Sequence, residues 1–399
     1  MKEERKEDLM FHYDGIVTDE DTARPYLDAL YDHIVKNDIS NIYICSNDKI
    51  VIDRNKNKVA ITEKPLTQKH VKALIMVITG GVGGDTQILS GVSLDRAQDF
   101  RVVEPDENGE YARARFRINI MRVYHMEQDG AQITIRKIDF NPPALNKISF
   151  SEEEDMYKNF FKEQGLSLVT GPTGSGKSTT LAAFIQNHLM KKENHIICNT
   201  YEEPIEYVHD YTNKNSPNSR VYQTEVPTGI ASFEKALEKS LRRQPEMIMI
   251  GELRDTATIS AAIEAGLTGH LVMSTTHTNG VAATVKRLVT IFPAGERESR
   301  QIDIIEQLNI IIAQRLLRTV DGKKVAVREH LVFTDEIKDR LQLVNPLHLN
   351  AEVRKIMNEK KQGMLFEAKE LYDNKVIDRH EYMKIASIYK DEYKKAKEL

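Results

Sequence analysis

Residues 171–178 read Gly-Pro-Thr-Gly-Ser-Gly-Lys-Ser (GPTGSGKS), one residue after the apolar run LSLV (166–169) and running into STTLAAFIQNHL (178–189). Three glycines beside one amine and one hydroxyl describe a loop built to surround a polyphosphate. Consecutive backbone N–H groups can replace phosphate hydration where no Cβ blocks the approach, which places glycine at 171, 174 and 176. Thr173, Ser175 and Thr179 complete the run of donors. A helix starting at Lys177 adds its N-terminal partial positive charge. In the pattern G-x-x-x-x-G-K-[ST], Lys177 reaches the β- and γ-phosphates and Ser178 ligates Mg²⁺. The pattern carries this meaning between a strand and a helix, and the flanking residues supply both. The expected ligands are ATP and Mg²⁺.

Hydrolysis needs more than a cradle: a carboxylate must orient water, and developing charge must be stabilised. The apolar run MIMI (247–250) leads into Gly251-Glu252-Leu253-Arg254-Asp255. A carboxylate just beyond a strand's C-terminal end lies on the edge where open α/β sheets bind ligands. Glu252 is therefore a catalytic candidate and a Mg²⁺ ligand candidate, while Asp255 suits a helix N-terminus. HIICNT (195–200) is followed by Tyr201-Glu202-Glu203-Pro204-Ile205-Glu206. Crowded carboxylates repel unless a cation or a held water shares them, so Glu202 and Glu206 are read as metal- or water-positioning groups, with a plain solvated loop as the alternative. TGHLVMSTTHTN (268–279) forms a further strand with His270 at its start and His277 at its end. Both histidines are candidate phosphate sensors, and His277 also joins the catalytic set. A satisfied core histidine is the competing reading for each.

Strand and helix signals alternate from 166 to 290, which argues for a parallel sheet covered on both faces. Upstream, helical spacing runs from Pro25 to Lys36 and from Gln68 to Ile78. Alternating segments at 41–46, 49–54, 98–104, 112–124 and 131–138 predict strands. Residues 1–20 read as loose. The Pro pair in DFNPPALNKIS (139–149) marks a linker. The domain plan is thus an α+β domain over 1–140, a linker over 141–150, the nucleotide domain over 151–332, and a charged, solvated helical subdomain over 333–399.

Composition bounds the rest. The 399 residues carry a net charge of -4, with 40% hydrophobic and 29% charged residues. That balance disfavours a surface built to hold nucleic acid, though local basic clusters stand at Arg242-Arg243 and in RLLRTVDGKKVAVR (315–328). Few aromatics interleave with them, and there is no Trp to stack a base. The charged N-terminus MKEERKEDLM is not a secretory signal. No apolar run is long enough to span a bilayer. The two cysteines, Cys45 and Cys198, read as buried small hydrophobes. A cytoplasmic protein recruited peripherally to the inner membrane through partners is expected.

Four blocks stand in a fixed order: GPTGSGKST, TYEEPIEYVHD, LRRQPEMIMIGELRD and TGHLVMSTTHTN. Together they resemble the P-loop, acidic box, Walker B and histidine box of the PilT-like traffic ATPases of type II and type IV secretion. Within that superfamily TQILSG (86–91), RLVTIF (287–292) and REHLVFTDEI (328–337) are similar to the DotB type of type IVB secretion and its conjugation counterparts. The resemblance implies a RecA-like P-loop ATPase domain behind a smaller, PAS-like α+β domain. It implies a homohexamer working with an inner-membrane secretion or conjugation apparatus, docked through a second, larger ATPase. ARFRINIMR (114–122) and ITIRKI (133–138) look like the family's arginine strands. On that matching Arg115, Arg117 and Arg136 contact nucleotide, and Arg254 is structural. The four-cysteine zinc element of longer export ATPases has no counterpart, since only Cys45 and Cys198 exist. Three readings compete: a secretion motor of the DotB type, a pilus-retraction ATPase, and a nucleotide-gated docking protein with negligible hydrolysis. A nucleic-acid translocase is a weaker fourth.

Overall fold

The computed structural model describes residues 9–37, 39–54, 57–81, 83–101 and 113–389. The chain divides into two compact units, Met1–Phe140 and Asn141–Leu399.

The first unit runs α1 (Glu20–Lys36), β1 (Asn41–Cys45), β2 (Val51–Arg54), β3 (Asn57–Ala60), α2 (Gln68–Thr79), α3 (Gly84–Leu89), β4 (Leu94–Arg101), β5 (Arg113–His125) and β6 (Gln128–Ile138). The strands form one antiparallel sheet in the order β3-β2-β1-β6-β5-β4. Alternation decides its faces. Phe116, Ile118 and Ile120 of β5 point into a core shared with Leu27, Leu30 and Ile34 of α1 and Leu74 and Ile78 of α2. Tyr31 stacks on Phe116 with centroids 4.5 Å apart.

The N-terminal segment departs from its reading as loose. Leu9, Phe11 and Val17 are buried, and the Phe11 N–H donates to the Ile61 carbonyl at 2.7 Å. Helix α1 starts at Glu20 rather than at Pro25, because Asp19 caps it with a reciprocal box to Thr22. The expected strand at 98–104 is displaced to 94–101. Its last three residues and the turn signal at 106–109 lie outside the described residues.

The second unit runs α4 (Asp155–Phe160), β7 (Gly165–Thr170), α5 (Lys177–Leu189), β8 (Ile197–Glu202), α6 (Asp210–Asn215), β9 (Arg220–Glu225), α7 (Phe233–Ser240), β10 (Met247–Ile250), α8 (Thr256–Leu267), β11 (Leu271–Thr276), α9 (Val281–Thr290), α10 (Arg297–Gln307), β12 (Leu308–Arg318), β13 (Lys324–Val332), α11 (Asp335–Gln342), α12 (Leu349–Lys360), α13 (Met364–Asp373) and α14 (Arg379–Ile388). The sheet order is β13-β12-β7-β11-β10-β8-β9. All neighbours are parallel except the β12–β13 hairpin. This is an α/β fold, with strands β7, β11 and β10 buried at every position as a doubly covered sheet requires.

Two stretches read as accessory are part of this unit's core. Leu145 and Phe150 of the supposed linker pack beneath the sheet with Phe184 of α5. Ile337, Leu349, Val353, Leu365 and Ile385 of the C-terminal helices share one core with Val281 and Val285 of α9, so those helices are not a separate solvated layer. The basic run 315–328 is the β12–β13 hairpin, with Gly322 at positive φ in its turn. Its charges are divided, with Arg315 bonded to Asn279 at 2.9 Å and Arg328 buried.

Candidate active site

The parallel register brings the ends of β7, β11, β10 and β8 to one edge, because Thr170 pairs with Thr276, Ile250 with Ser274, and Ile250 with Tyr201. Each functional block follows one of these ends. Residues 171–176 form the loop after β7, and α5 begins at Lys177.

Backbone geometry explains the loop's glycines. Gly171, Gly174 and Gly176 all have positive φ. A Cβ on Gly171 would lie 2.3 Å from the Gln314 carbonyl oxygen, and one on Gly176 would lie 2.9 Å from Gln314 Nε2. Gln314 of β12 thus backs both ends of the loop, and its Nε2 donates to the Ser175 carbonyl at 2.6 Å. The Ser175 hydroxyl is buried and has no hydrogen-bond partner. An orphan donor inside a loop at a helix N-terminus fits an anionic ligand.

Lys177 is buried and its Nζ donates to the carbonyls of Gly171 at 3.0 Å and Pro172 at 3.2 Å. Burial pulls its pKa down, against the attraction of Glu206 and Glu252. Nζ also lies 3.5 Å from His277 Nδ1, and His277 Nε2 lies 3.2 Å from Glu252 Oε2. An ammonium has only donors, so Nδ1 accepts and the ring proton on Nε2 faces the carboxylate. Arg254 closes the chain, reaching Glu252 at 3.0 Å and Glu203 at 2.9 Å. Glu252 is held in place because Thr275 Oγ1 donates to the Gly251 carbonyl, and the Leu253 N–H donates to the Thr275 carbonyl. Lys177, His277, Glu252 and Arg254 therefore form one continuous polar path.

Glu202 departs from its reading as a metal ligand. Its carboxylate is buried, accepts from Thr200 Oγ1 at 2.7 Å and Gln223 Nε2 at 3.1 Å, and takes the Glu206 N–H as well. Burial pushes its pKa up to about 7. Held by donors from β8, from β9 and from the segment that follows β8, this carboxylate ties the acidic segment to the sheet. Gln223 also donates to the Tyr207 carbonyl at 2.8 Å, and the Tyr207 hydroxyl meets Thr179 Oγ1 at 2.9 Å. Glu206 is half-buried on the segment so anchored.

His270 does not belong to this edge. It precedes Leu271, which pairs with Gly165 at the start of β7, so it lies one full strand away from the loop. Its neighbour is Thr268, at 3.4 Å. The spacing of two histidines around one strand guarantees opposite edges, so His270 stands away from the phosphate loop.

In the first unit, Arg115 and Arg117 project from the sheet face opposite the core. Arg115 is buried and ion-paired with Asp99. Arg117 grips Asp95 at 2.8 and 3.1 Å. Arg136, directly across from Arg117, donates to Asn41 Oδ1 at 3.0 Å.

Among the described residues no group of three or more His, Cys, Asp and Glu side chains is arranged to hold a metal ion. Mg²⁺ does not need one, since it is ordinarily held by one or two protein oxygens together with phosphate and water. Ser178 at the start of α5 and the Glu252 carboxylate fit that donor set.

Gln314, Gln223 and Tyr207 were not expected. Gln314 stands one residue before the run 315–328, read only for its basic charge. The signal available for it was Asp321-Gly322 between two apolar runs, a hairpin turn that would have placed β12 beside the loop.

The family of type II/IV secretion system proteins matches residues 17–370. The chain belongs to that family. Among solved members, the Legionella pneumophila ATPase DotB superposes with a TM-score of 0.78 at 34% identity, over 94% of this chain and 98% of its own. The pilus retraction motor PilT with bound ADP gives 0.73 at 26% identity, over 90% and 96%. A twitching motility protein of Neisseria gonorrhoeae is 44% identical over 231 residues, 57% of this chain. The match spans 58% of that relative's length.

Proposed function

We propose that the chain is an ATPase motor of the DotB type, coupling Mg-ATP hydrolysis to substrate transfer by a type IVB secretion or conjugation system as a homohexamer. The observation that carries the reading is the path from Lys177 through His277 to Glu252, at the mouth of a loop shaped for phosphate.

The roles follow from the geometry. The N–H groups of 173–179 and the Ser175 hydroxyl bind the phosphates, and Lys177 neutralises them. Ser178 and Glu252 hold Mg²⁺, which when bound supplies charge to the phosphate oxygens. Glu252, with Glu206 facing the same lysine, orients the attacking water and receives its proton. His277 links the lysine to that carboxylate, so a cation drawn onto phosphate leaves the imidazole and frees Glu252 to adjust. Glu202 positions the acidic segment. Arg115, Arg117 and Arg136 are assigned to nucleotide on the family likeness.

Among the described residues no helix is long and apolar enough to cross a membrane. Recruitment to an inner-membrane apparatus would run through partners, a larger ATPase among them. Near-complete coverage of DotB favours this type, whereas the 44% identity to a twitching motility protein favours a retraction motor as the second reading.

The test is turnover of Mg-ATP by the purified chain. Lys177→Ala should lose nucleotide affinity. Glu252→Gln should bind nucleotide yet turn over about 10²–10⁴-fold more slowly, the range of a lost general base. Equal turnover by Glu252→Gln and the parent would leave the docking-protein reading in its place.

A further inference from the structure

One buried cation serves no purpose in the reaction as described. Arg328 of β13 is 4% exposed and stands directly across from Gln314 in the hairpin. Its Nε donates to Gln314 Oε1 at 2.9 Å. The rest of the fork points elsewhere. One terminal nitrogen donates to the Ser149 carbonyl at 3.1 Å and the other to the Ile148 carbonyl at 2.6 Å. The guanidinium lies 3.8 Å over the Phe150 ring. Its backbone N–H donates to Glu367 of α13, whose carboxylate faces the buried charge.

These bonds fix both ends of a relay. Gln314 Oε1 also accepts from Thr180 Oγ1 at 3.0 Å, so with two donors on the oxygen its Nε2 can only present hydrogens to the Ser175 carbonyl. The amide cannot turn over without stranding buried polar groups. Ser149 is held at φ 55, a conformation disfavoured for a non-glycine residue, with its carbonyl in the arginine's grip. The path is therefore Ser175, Gln314, Arg328, then Ile148 and Ser149. Every joint is a directed hydrogen bond and both middle groups are planar.

We propose that Arg328 is a positioning residue that transmits occupancy of the phosphate loop, through Gln314, to residues 148–150, where the chain enters its second unit. The inference rests on the nucleotide-binding reading above. A phosphate drawing the Ser175 segment inward moves the carbonyl that Gln314 holds. The rigid guanidinium passes that shift to the backbone eight to ten residues beyond Phe140, the last residue of the first unit. Lysine cannot replace it, since one ammonium cannot serve three acceptors in a plane.

The test is hydrogen exchange of the whole chain with and without saturating Mg·ADP, comparing the parent with Arg328→Lys and Gln314→Leu. In the parent, Mg·ADP should slow exchange about tenfold both in the peptide spanning 171–180 and in that spanning 145–151. In both variants the response at 171–180 should remain at saturation, while the response at 145–151 disappears. If 145–151 responds as strongly in both variants as in the parent, or is silent in a parent whose 171–180 peptide responds, the relay is refuted. A parent with no response at 171–180 and no bound nucleotide by equilibrium dialysis refutes the nucleotide reading instead. Should Gln314→Leu fail to fold by circular dichroism, Arg328→Lys decides alone, since it keeps the charge and most of the volume.

Discussion

Glu202→Gln isolates the electrostatics of the acidic segment. The folded chain holds the Glu202 carboxyl at about 7 against an ordinary 4.5, with burial as the leading cause and the bonds from Thr200, Gln223 and the Glu206 N–H working against it. Between those two values the folded state keeps a proton that the unfolded state releases. Stability therefore falls as pH rises through the window, and the full penalty is present above pH 7. At 1.36 kcal/mol per unit the penalty is about 3 kcal/mol as an upper bound. Glutamine does not ionise. The unfolding free energy of Glu202→Gln relative to the parent should thus improve by up to about 3 kcal/mol from pH 4.5 to pH 8. Glu367, raised to about 7, and His209, lowered to about 4, titrate in both chains and cancel from the difference. Urea denaturation of the two chains at pH 5, 6, 7 and 8 measures this. A difference that is flat with pH, or that favours the parent increasingly toward pH 8, would show that Glu202 is ionised at ordinary cost and available to a cation, and the organising role would fail.

Two further outcomes are expected. Gly171→Ala sets a Cβ 2.3 Å from a backbone carbonyl at φ +149, so the loop must shift; nucleotide affinity by fluorescence titration should fall at least about 100-fold. Glu329 is buried and accepts from the N–H groups of Val281 at 2.8 Å and Met364 at 3.3 Å, joining the starts of α9 and α13. Glu329→Ala should cost about 2 kcal/mol, a fall of roughly 4–8 °C in Tm by calorimetry, and Glu329→Gln should recover part of it.

Local chemistry was legible and spatial adjacency was not. The phosphate-loop pattern is contained in the eight residues 171–178, and Asp255, whose carboxylate oxygen accepts from the Thr258 N–H to cap α8, announces itself by type and place. The hairpin β12–β13 was missed because LNIIIAQRLLR is a nearly continuous buried run, which periodicity cannot distinguish from a buried helix. Strand β9 fell in a polar stretch, RVYQTE, with only Val221 fully buried, as suits an edge position. Residues 9–19 looked loose because three buried apolar side chains among polar neighbours have no period. Phe11 packs its ring on Tyr26 and His33 of α1, and its N–H pairs with the carbonyl of Ile61, fifty residues further along the chain.

Sheet order also decides which carboxylate can act, and no reading of one sequence supplies it. Strands lie about 4.8 Å apart. From β7, whose end carries the loop, β11 is the first neighbour, β10 the second and β8 the third. His277 beyond β11 is thus within side-chain reach of Lys177, and Glu252 beyond β10 reaches it through the imidazole. Glu202, the last residue of β8 itself, starts about 14 Å away and is bonded to Thr200 of its own strand and Gln223 of β9. Glu206 lies four residues further along the chain, and its charge and that of Glu252 both act on Lys177. On the other flank β12 is also a first neighbour of β7, which is why Gln314, rather than any acidic residue, supports the loop from behind. The same adjacency that sets Glu202 three strands from the loop puts the β12–β13 hairpin directly behind it.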